Sequence, residues 1–321
     1  MNIKFVYQEA HEILRQARSI LVVSHRKPDG DTLGAACAVL NYARSIGKDA
    51  VGFCVDVLPE QYRYIPGTER YANDPSVFLT ARPDVIAVFD ASDLAFAGVL
   101  DFIAAVPHQP TIINFDHHAT NVRFGDINAL NVTASSTAEV VYDFLNAGGV
   151  EITREIATCL LTGILTDTGS FSNPATTASS LEAASDLLRR GASIHEVARR
   201  LMRNKPLKAL HLWGAVLARL KYDERLGVAT TAIFRKDLEE SGVEDEHVEG
   251  LSNFLNSFLN AKVVLVLKEL PGGLVKGSFR TADEIDVSAI AKLMGGGGHK
   301  KAAGFTAQGR IVEGEKGWRV E

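Results

Sequence analysis

Three side chains able to bind metal fall within seven positions in the segment SHRKPDGDTLG: His25, Asp29 and Asp31. A Pro-Asp-Gly turn with Asp31 as a helix N-cap would account for them without any chemistry. Three further segments weigh against that account. VIAVFDASD ends an apolar strand pattern in Asp90, and TIINFDHHATN ends another in Asp116, His117 and His118. LLTGILTDTGSFSNPATT sets Asp167 in an apolar helical run, where a lone carboxylate carries a desolvation penalty unless it is paired or holds a metal. Separate capping roles for four segments would be independent coincidences, whereas one shared site explains them together. Imidazoles and carboxylates without thiolate suit borderline to hard divalent ions such as Mn²⁺ or Mg²⁺ better than a structural zinc. Two such ions about 3.5–4 Å apart, joined by a bridging carboxylate, can activate water and neutralise an in-line phosphoryl transition state.

The elements that must position these residues follow from the hydrophobic pattern. Short β-branched runs at Ile20 to Ser24, Ala50 to Val55, Val85 to Asp90 and Thr111 to Phe115 alternate with helical stretches near Thr32 to Ile46 and Phe96 to Ala105. That alternation predicts an α/β fold with a mostly parallel sheet flanked by helices, and such sheets bind ligands beyond the carboxyl ends of their strands. Three of the four candidate segments sit there. From Glu151 to about Tyr222 the pattern is almost wholly helical. After Asp223 the strands GVATTAIF, AKVVLVLKEL and GLVKGSFRT resume, with HVEGLSNFLNSFL and VSAIAKLM as helices, which indicates a smaller α/β domain. The domains expected are 1–190, catalytic and metal-binding; 191–222, a helical connector; and 223–321, substrate-binding, with the active-site cleft between the first and the last. In the stretch GSFRTADEIDVSAIAKLMGGGGHKKAAGF, successive glycines would let backbone N–H groups approach a phosphate closely. Phe254 and Phe258, four apart on one helix, read as core packing. His11, His108, His195, His211 and His247 lie outside these segments and receive no role.

HRKPDGD, the isolated Asp90, DHH and TDTG closely resemble the four motifs of the DHH phosphoesterases, and the glycine-rich segment resembles the DHHA1 domain that accompanies them. The resemblance spans nearly the whole chain. It implies His25, Asp29 and Asp90 on one metal ion and Asp31, Asp90, His117 and Asp167 on a second, with Asp90 as the bridge. It further implies that His118 addresses the substrate phosphate and that Asp116 orients a ligating imidazole. Arg280, Gly297, Gly298 and His299 would hold the distal end of the substrate. Domain order and the GGGGH element are most similar to the branch that degrades very short RNA oligonucleotides to mononucleotides and removes the 3′ phosphate of 3′-phosphoadenosine 5′-phosphate (pAp). A phosphodiesterase of cyclic or linear dinucleotides is the nearest alternative. Inorganic pyrophosphatase, RecJ-like exonuclease and a nucleotide-binding module without turnover are the others.

Composition sets bounds on partners. The chain of 321 residues is 46% hydrophobic and 23% charged, a globular composition long enough for about two domains. Its net charge of −5 gives no general attraction for long duplex nucleic acid, so phosphate affinity must be local. The start lacks the apolar core of a secretory signal, and no long uncharged apolar run predicts a membrane span, so a cytoplasmic protein is expected. Cys37, Cys54 and Cys159 lie in apolar surroundings without metal-site spacing and read as buried thiols. The family resemblance suggests a homodimer.

Overall fold

The computed structural model describes residues 3–202, 206–243, 248 and 250–321. It divides into two compact units, Met1–Asn204 and Lys205–Glu321. In the first, β1 (Ser19–Ser24), β2 (Asp49–Phe53), β3 (Tyr71–Ala72), β4 (Val85–Phe89), β5 (Thr111–Asp116) and β6 (Ile127–Leu130) form a parallel sheet in the order β3-β2-β1-β4-β5-β6. Around it stand α1 (Ile3–Gln16), α2 (Gly30–Ser45), α3 (Val77–Thr80), α4 (Leu94–Ala97), α5 (Leu100–Ala104), α6 (Thr137–Ala147), α7 (Arg154–Asp167), α8 (Ala178–Arg189) and α9 (Ile194–Met202).

The central strands read as unbroken apolar runs because both sheet faces are covered. In β1, Ile20 and Val22 join one core while Leu21 and Val23 join the other, and β4 divides its residues in the same way. Strand order reverses between β1 and β4. This is the switch point where loops leaving the carboxyl ends part and open a crevice. His25 directly follows β1 and Asp90 directly follows β4, so the two residues flank that crevice.

Helix α2 is buried on nearly every side. Its contact with α7 depends on glycine. A Cβ at Gly34 would run into the Cys159 carbonyl and the Gly163 backbone. One at Gly163 would overlap the Ala138 side chain and come within 2.6 Å of Asp31 Oδ1. The close approach lays the first turn of α2, carrying Asp31, beside the last turn of α7, carrying Asp167.

The second unit has α10 (Leu207–Ala218), α11 (Arg235–Ser241), α12 (Leu251–Phe258) and α13 (Val287–Leu293), with β7 (Lys221–Asp223), β8 (Val228–Ile233), β9 (Val263–Leu270), β10 (Leu274–Arg280), β11 (Gly297–His299) and β12 (Ala302–Gln308). Its sheet runs β11-β12-β10-β9-β8-β7, parallel between β8 and β9 and antiparallel elsewhere. A hairpin of β13 (Ile311–Glu313) and β14 (Trp318–Val320) follows. The helical stretch between the domains divides between the two cores: Val197 of α9 packs in the first, and Ala209, Leu212 and Val216 of α10 pack in the second.

Three local expectations change. The helix expected near Phe96 to Ala105 is two short pieces, α4 and α5, because Gly98 takes a left-handed conformation (φ 79°) and ends the first. Phe254 and Phe258 are not core residues: their rings pack on each other at 4.6 Å, and Phe258 keeps 74% of its surface exposed. In the glycine run, Gly295 (φ 75°) terminates α13, while Gly297 and Gly298 lie in the edge strand β11, opposite Gly304 and Ala303. Cys37, Cys54 and Cys159 are buried and unbridged. Among the described residues no helix is long and apolar enough to cross a membrane.

Gly163→Ala is expected to cost about 1–3 kcal/mol by overpacking, read as a lower urea midpoint. Gly214→Ala, on α10 with open space around the added methyl, is expected to raise stability by up to about 1 kcal/mol. An unchanged midpoint for Gly163→Ala would show that α2 and α7 do not need this close contact.

Candidate metal centre

The site is assembled from strand ends and helix ends. Asp29 caps α2, its Oδ1 accepting the N–H groups of Asp31 and Thr32 at 2.9 and 3.1 Å. Asp31 is fully buried and faces the first turn of α6, where the N–H groups of Thr137 and Ala138 donate to its two oxygens at 2.7 and 2.9 Å. A helix N-terminus favours negative charge, which offsets part of the desolvation of this carboxylate. Asp90 holds a left-handed conformation (φ 58°), uncommon for a residue other than glycine and tolerated better by aspartate than by most. Its amide donates to the Phe115 carbonyl at 2.9 Å, and Thr137 Oγ1 donates to its Oδ1 at 2.9 Å.

The carboxylate of Asp90 divides its contacts. Oδ2 lies 3.4 Å from His25 Nε2, whereas Oδ1 lies 3.7 Å from His117 Nε2 and 3.5 Å from His118 Nδ1. His117 Nε2 is also 3.2 Å from Asp167 Oδ2. Two sets of three ligand atoms lie within 4.8 Å of one another without sharing a residue: His25, Asp29 and Asp90 form one, and Asp31, His117 and Asp167 the other. Asp90, His117 and His118 make an overlapping third. All six residues singled out as ligands from the sequence are thus brought together, with His118 beside them.

The electrostatics of this cluster point to missing positive charge. Burial, followed by repulsion from Asp167 and Asp90, raises the Asp31 carboxyl well above its ordinary range. Burial, followed by repulsion from Asp90 and Asp167, pushes Asp29 up to about 6, although its side chain is 43% exposed and solvent there screens part of the effect. Burial raises Asp167 as well, and a carboxylate in the last turn of a helix opposes the helix dipole. Burial also disfavours an ionised Asp90, but the His25 hydrogen bond and the charges of His117 and His25 outweigh it and lower its pKa. Burial disfavours protonation of His25 and His117, yet the aspartates raise them to about 9 and about 10, through Asp90 and Asp167 respectively. Nevertheless the buried His117 Nε2 has no aligned hydrogen-bond partner, since its approach to Asp167 is close but off-axis. An orphaned imidazole nitrogen facing several carboxylates, with nitrogen and oxygen donors and no thiolate, fits divalent cations.

Asp116 is buried and makes one change to the expected roles. Its Oδ1 accepts the backbone N–H groups of His117 and His118 and bonds the His118 ring at Nδ1, 2.8 Å away. The imidazole it orients is therefore His118, while the His117 ring sits 3.3 Å from the Ala134 carbonyl through Nδ1. The Asp116 hydrogen bond, only partly opposed by burial, raises the His118 pKa. Thr137, Ala138 and Asn121, whose amide donates to Asp116 Oδ2 at 2.6 Å, were not foreseen as parts of the site. The sequence SSTAE, a capping pattern in which Ser136 receives the Glu139 N–H, was the available signal for α6.

In the second unit, Arg280 ends β10, donating from Nε to Asn253 Oδ1 at 2.6 Å and from a terminal nitrogen to the Phe279 carbonyl at 2.8 Å. Gly298 (φ 134°) packs so closely on Ala302 and Ala303 that a Cβ would overlap them, whereas Gly297 faces open space. The side chain of His299 lies outside the described part of the structure, as does His247.

Comparison with known proteins identifies a hydrolase of phosphoester bonds. The chain belongs to the DHH/DHHA1 phosphoesterase family: residues 19–164 match the DHH family, N-terminal domain, and residues 226–315 match the DHHA1 domain. It is 33% identical over 299 residues to the bifunctional oligoribonuclease and PAP phosphatase NrnA of Thermus thermophilus, covering 93% of this chain and 87% of that protein. It is 24% identical to the cyclic-di-AMP phosphodiesterase PdeA of Listeria monocytogenes, covering 98% of this chain but 48% of that one. Among solved structures, an exopolyphosphatase-related protein from Bacteroides fragilis superposes with a TM-score of 0.89 at 25% identity, covering 95% of this chain and 92% of that chain.

The raised imidazoles set a pH dependence for the metal-free protein. His25 and His117 stay protonated in the native state to about 9 and about 10, whereas in the unfolded chain they lose protons near 6.5. Their contribution is complete below about 6.5 and is lost as pH rises through the native values. The stability of the metal-free protein is expected to fall between pH 7 and 10 by on the order of a few kcal/mol, read as a lower urea midpoint. A midpoint that stays level over that range would contradict the charge arrangement.

Proposed function

We propose that this protein hydrolyses short RNA oligonucleotides to mononucleotides and removes the 3′ phosphate of pAp, using two divalent ions, Mn²⁺ by preference or Mg²⁺. The observation that carries the reading is the divided carboxylate of Asp90, one oxygen turned to His25 and the other to His117, the arrangement of a ligand shared by two ions. His25, Asp29 and Asp90 would hold one ion, and Asp31, Asp90, His117 and Asp167 the second. Bound there, the pair would supply a nucleophilic water at neutral pH and neutralise the charge of the phosphoryl group in transit. His118, aligned through Nδ1 by Asp116, keeps Nε2 for the substrate phosphate, and its raised pKa favours the donor form. Arg280, Gly297, Gly298 and His299 would grip the distal part of the substrate, Arg280 through a guanidinium already oriented by Asn253.

Kinship supports the short-RNA and pAp reading over a cyclic dinucleotide phosphodiesterase. The match to the NrnA relative runs over most of both chains, whereas the phosphodiesterase relative is matched over less than half its length. A panel of pAp, a phosphorylated dinucleotide, cyclic di-AMP and pyrophosphate, each with Mn²⁺, tests this directly. Release of phosphate from pAp and of mononucleotide from the dinucleotide is expected to dominate. Faster cleavage of cyclic di-AMP would replace the reading with the second one, and tight binding without turnover would make the protein a sensor.

Asp90→Asn is expected to lower kcat for every substrate by at least about a thousandfold. Arg280→Ala is expected to raise KM roughly tenfold with kcat little changed. Full activity in the Asp90 variant would remove the shared-ligand argument.

A further inference from the structure

The ring of His25 meets one more side chain, Phe96, at 5.3 Å between centroids with the planes tilted by 47°. Phe96 is carried by α4, which is fixed at both ends. Asp93 accepts the Phe96 N–H at 2.7 Å, and the left-handed Gly98 ends the helix. Despite this anchoring, 53% of the Phe96 surface is exposed. Arg26, the residue after His25, lays its side chain over Gly98 in the space that a Cβ would fill. Among the described residues its guanidinium has no hydrogen-bond or ion-pair partner. An anchored aromatic face and an unpaired guanidinium therefore stand together next to a candidate metal ligand, which is the pairing that recognises a base and its phosphate.

We propose that Phe96 and Arg26 form a nucleotide subsite beside the metal centre, with the Phe96 ring stacking on the base of the nucleotide being released and Arg26 meeting its phosphate charge. The inference rests on the phosphoesterase reading and adds which residues select nucleotides over other phosphoesters. Stacking is tolerant of base identity, because every base offers a π-face. A shield that merely keeps water from His25 would affect all substrates alike.

The test compares pAp with its abasic counterpart, 1-deoxyribose 3,5-bisphosphate, using the full-length Mn²⁺-loaded protein. Wild type is expected to favour pAp in kcat/KM by roughly tenfold to a hundredfold, with the difference in KM. Phe96→Ala should bring that ratio close to one, and Phe96→Tyr should keep it. Arg26→Met should weaken binding of both and flatten its salt dependence. Equal slowing of both substrates by Phe96→Ala, with the ratio preserved, overturns the subsite. A second arm needs no turnover: in Phe96→Trp, AMP but not ribose 5-phosphate should quench the new indole emission, after subtraction of the wild-type signal from Trp213 and Trp318. Absence of that difference also overturns the proposal. Failure of the wild type to cleave any nucleotide counts against the phosphoesterase substrate reading, and quenching by AMP in that case still supports the subsite.

Discussion

The amino-terminal unit buries more negative charge than its own side chains can balance. Asp29, Asp31, Asp90 and Asp167 converge where the imidazoles of His25, His117 and His118 are their close cationic partners. Three of the four carboxyls are driven toward the neutral form, while His25 and His117 are driven toward the charged one. Each shift is a partial remedy for the same shortage of positive charge, because taking an unpaired carboxylate out of water is costly. Divalent cations would remedy it fully, releasing the protons that the metal-free site retains.

The fold bears the cost of gathering these charges through backbone devices. Helix α6 turns its N-terminal amides on Asp31. Gly34 and Gly163 remove the side chains that would hold α2 and α7 apart. The left-handed backbone of Asp90 turns its carboxylate out of β4 toward residues following both neighbouring strands. Such a conformation is retained where surrounding structure over-determines it, and here the amide bond to Phe115 and the hydroxyl of Thr137 do so. The left-handed turn at Asp90 and the glycine contact are therefore parts of one device rather than separate irregularities.

Much of this was legible in the residues because buried parallel strands read as apolar runs, so a carboxylate or imidazole at their ends stands out. His25, Asp90 and His117 were visible in that way, and Asp167 by the same contrast within the apolar run of helix α7. What stayed hidden depends on three-dimensional neighbours that carry no charge pattern. The amides of Thr137 and Ala138 are backbone groups and leave no mark in composition. The partner of Asp116 could not be chosen between two adjacent histidines, since the choice rests on ring rotation about a shared turn. Nor does a glycine announce its conformation. Gly98 breaks a helix in a stretch whose hydrophobic period runs straight through it, and Gly297 and Gly298 enter a sheet edge. The exposure of Phe258, against its helical pairing with Phe254, shows the same limit: a spacing of four places two rings side by side without saying which face is covered.

The same charge excess bears on how the protein gains its stability. Ligand binding to the native state alone stabilises it in proportion to the logarithm of ligand concentration over Kd. Here the residues that would bind cations are also those that repel one another in the metal-free site. Asp31 shows the link most directly, for it touches α6 through two amides, faces α7 across Gly163 and lies among the candidate ligands. A cation that balanced its charge while leaving the carboxylate ionised would bear on the packing of three helices at once. Discharging the site and tightening the α2–α6–α7 layer would then be one event, with catalytic geometry and local rigidity dependent on the same ions.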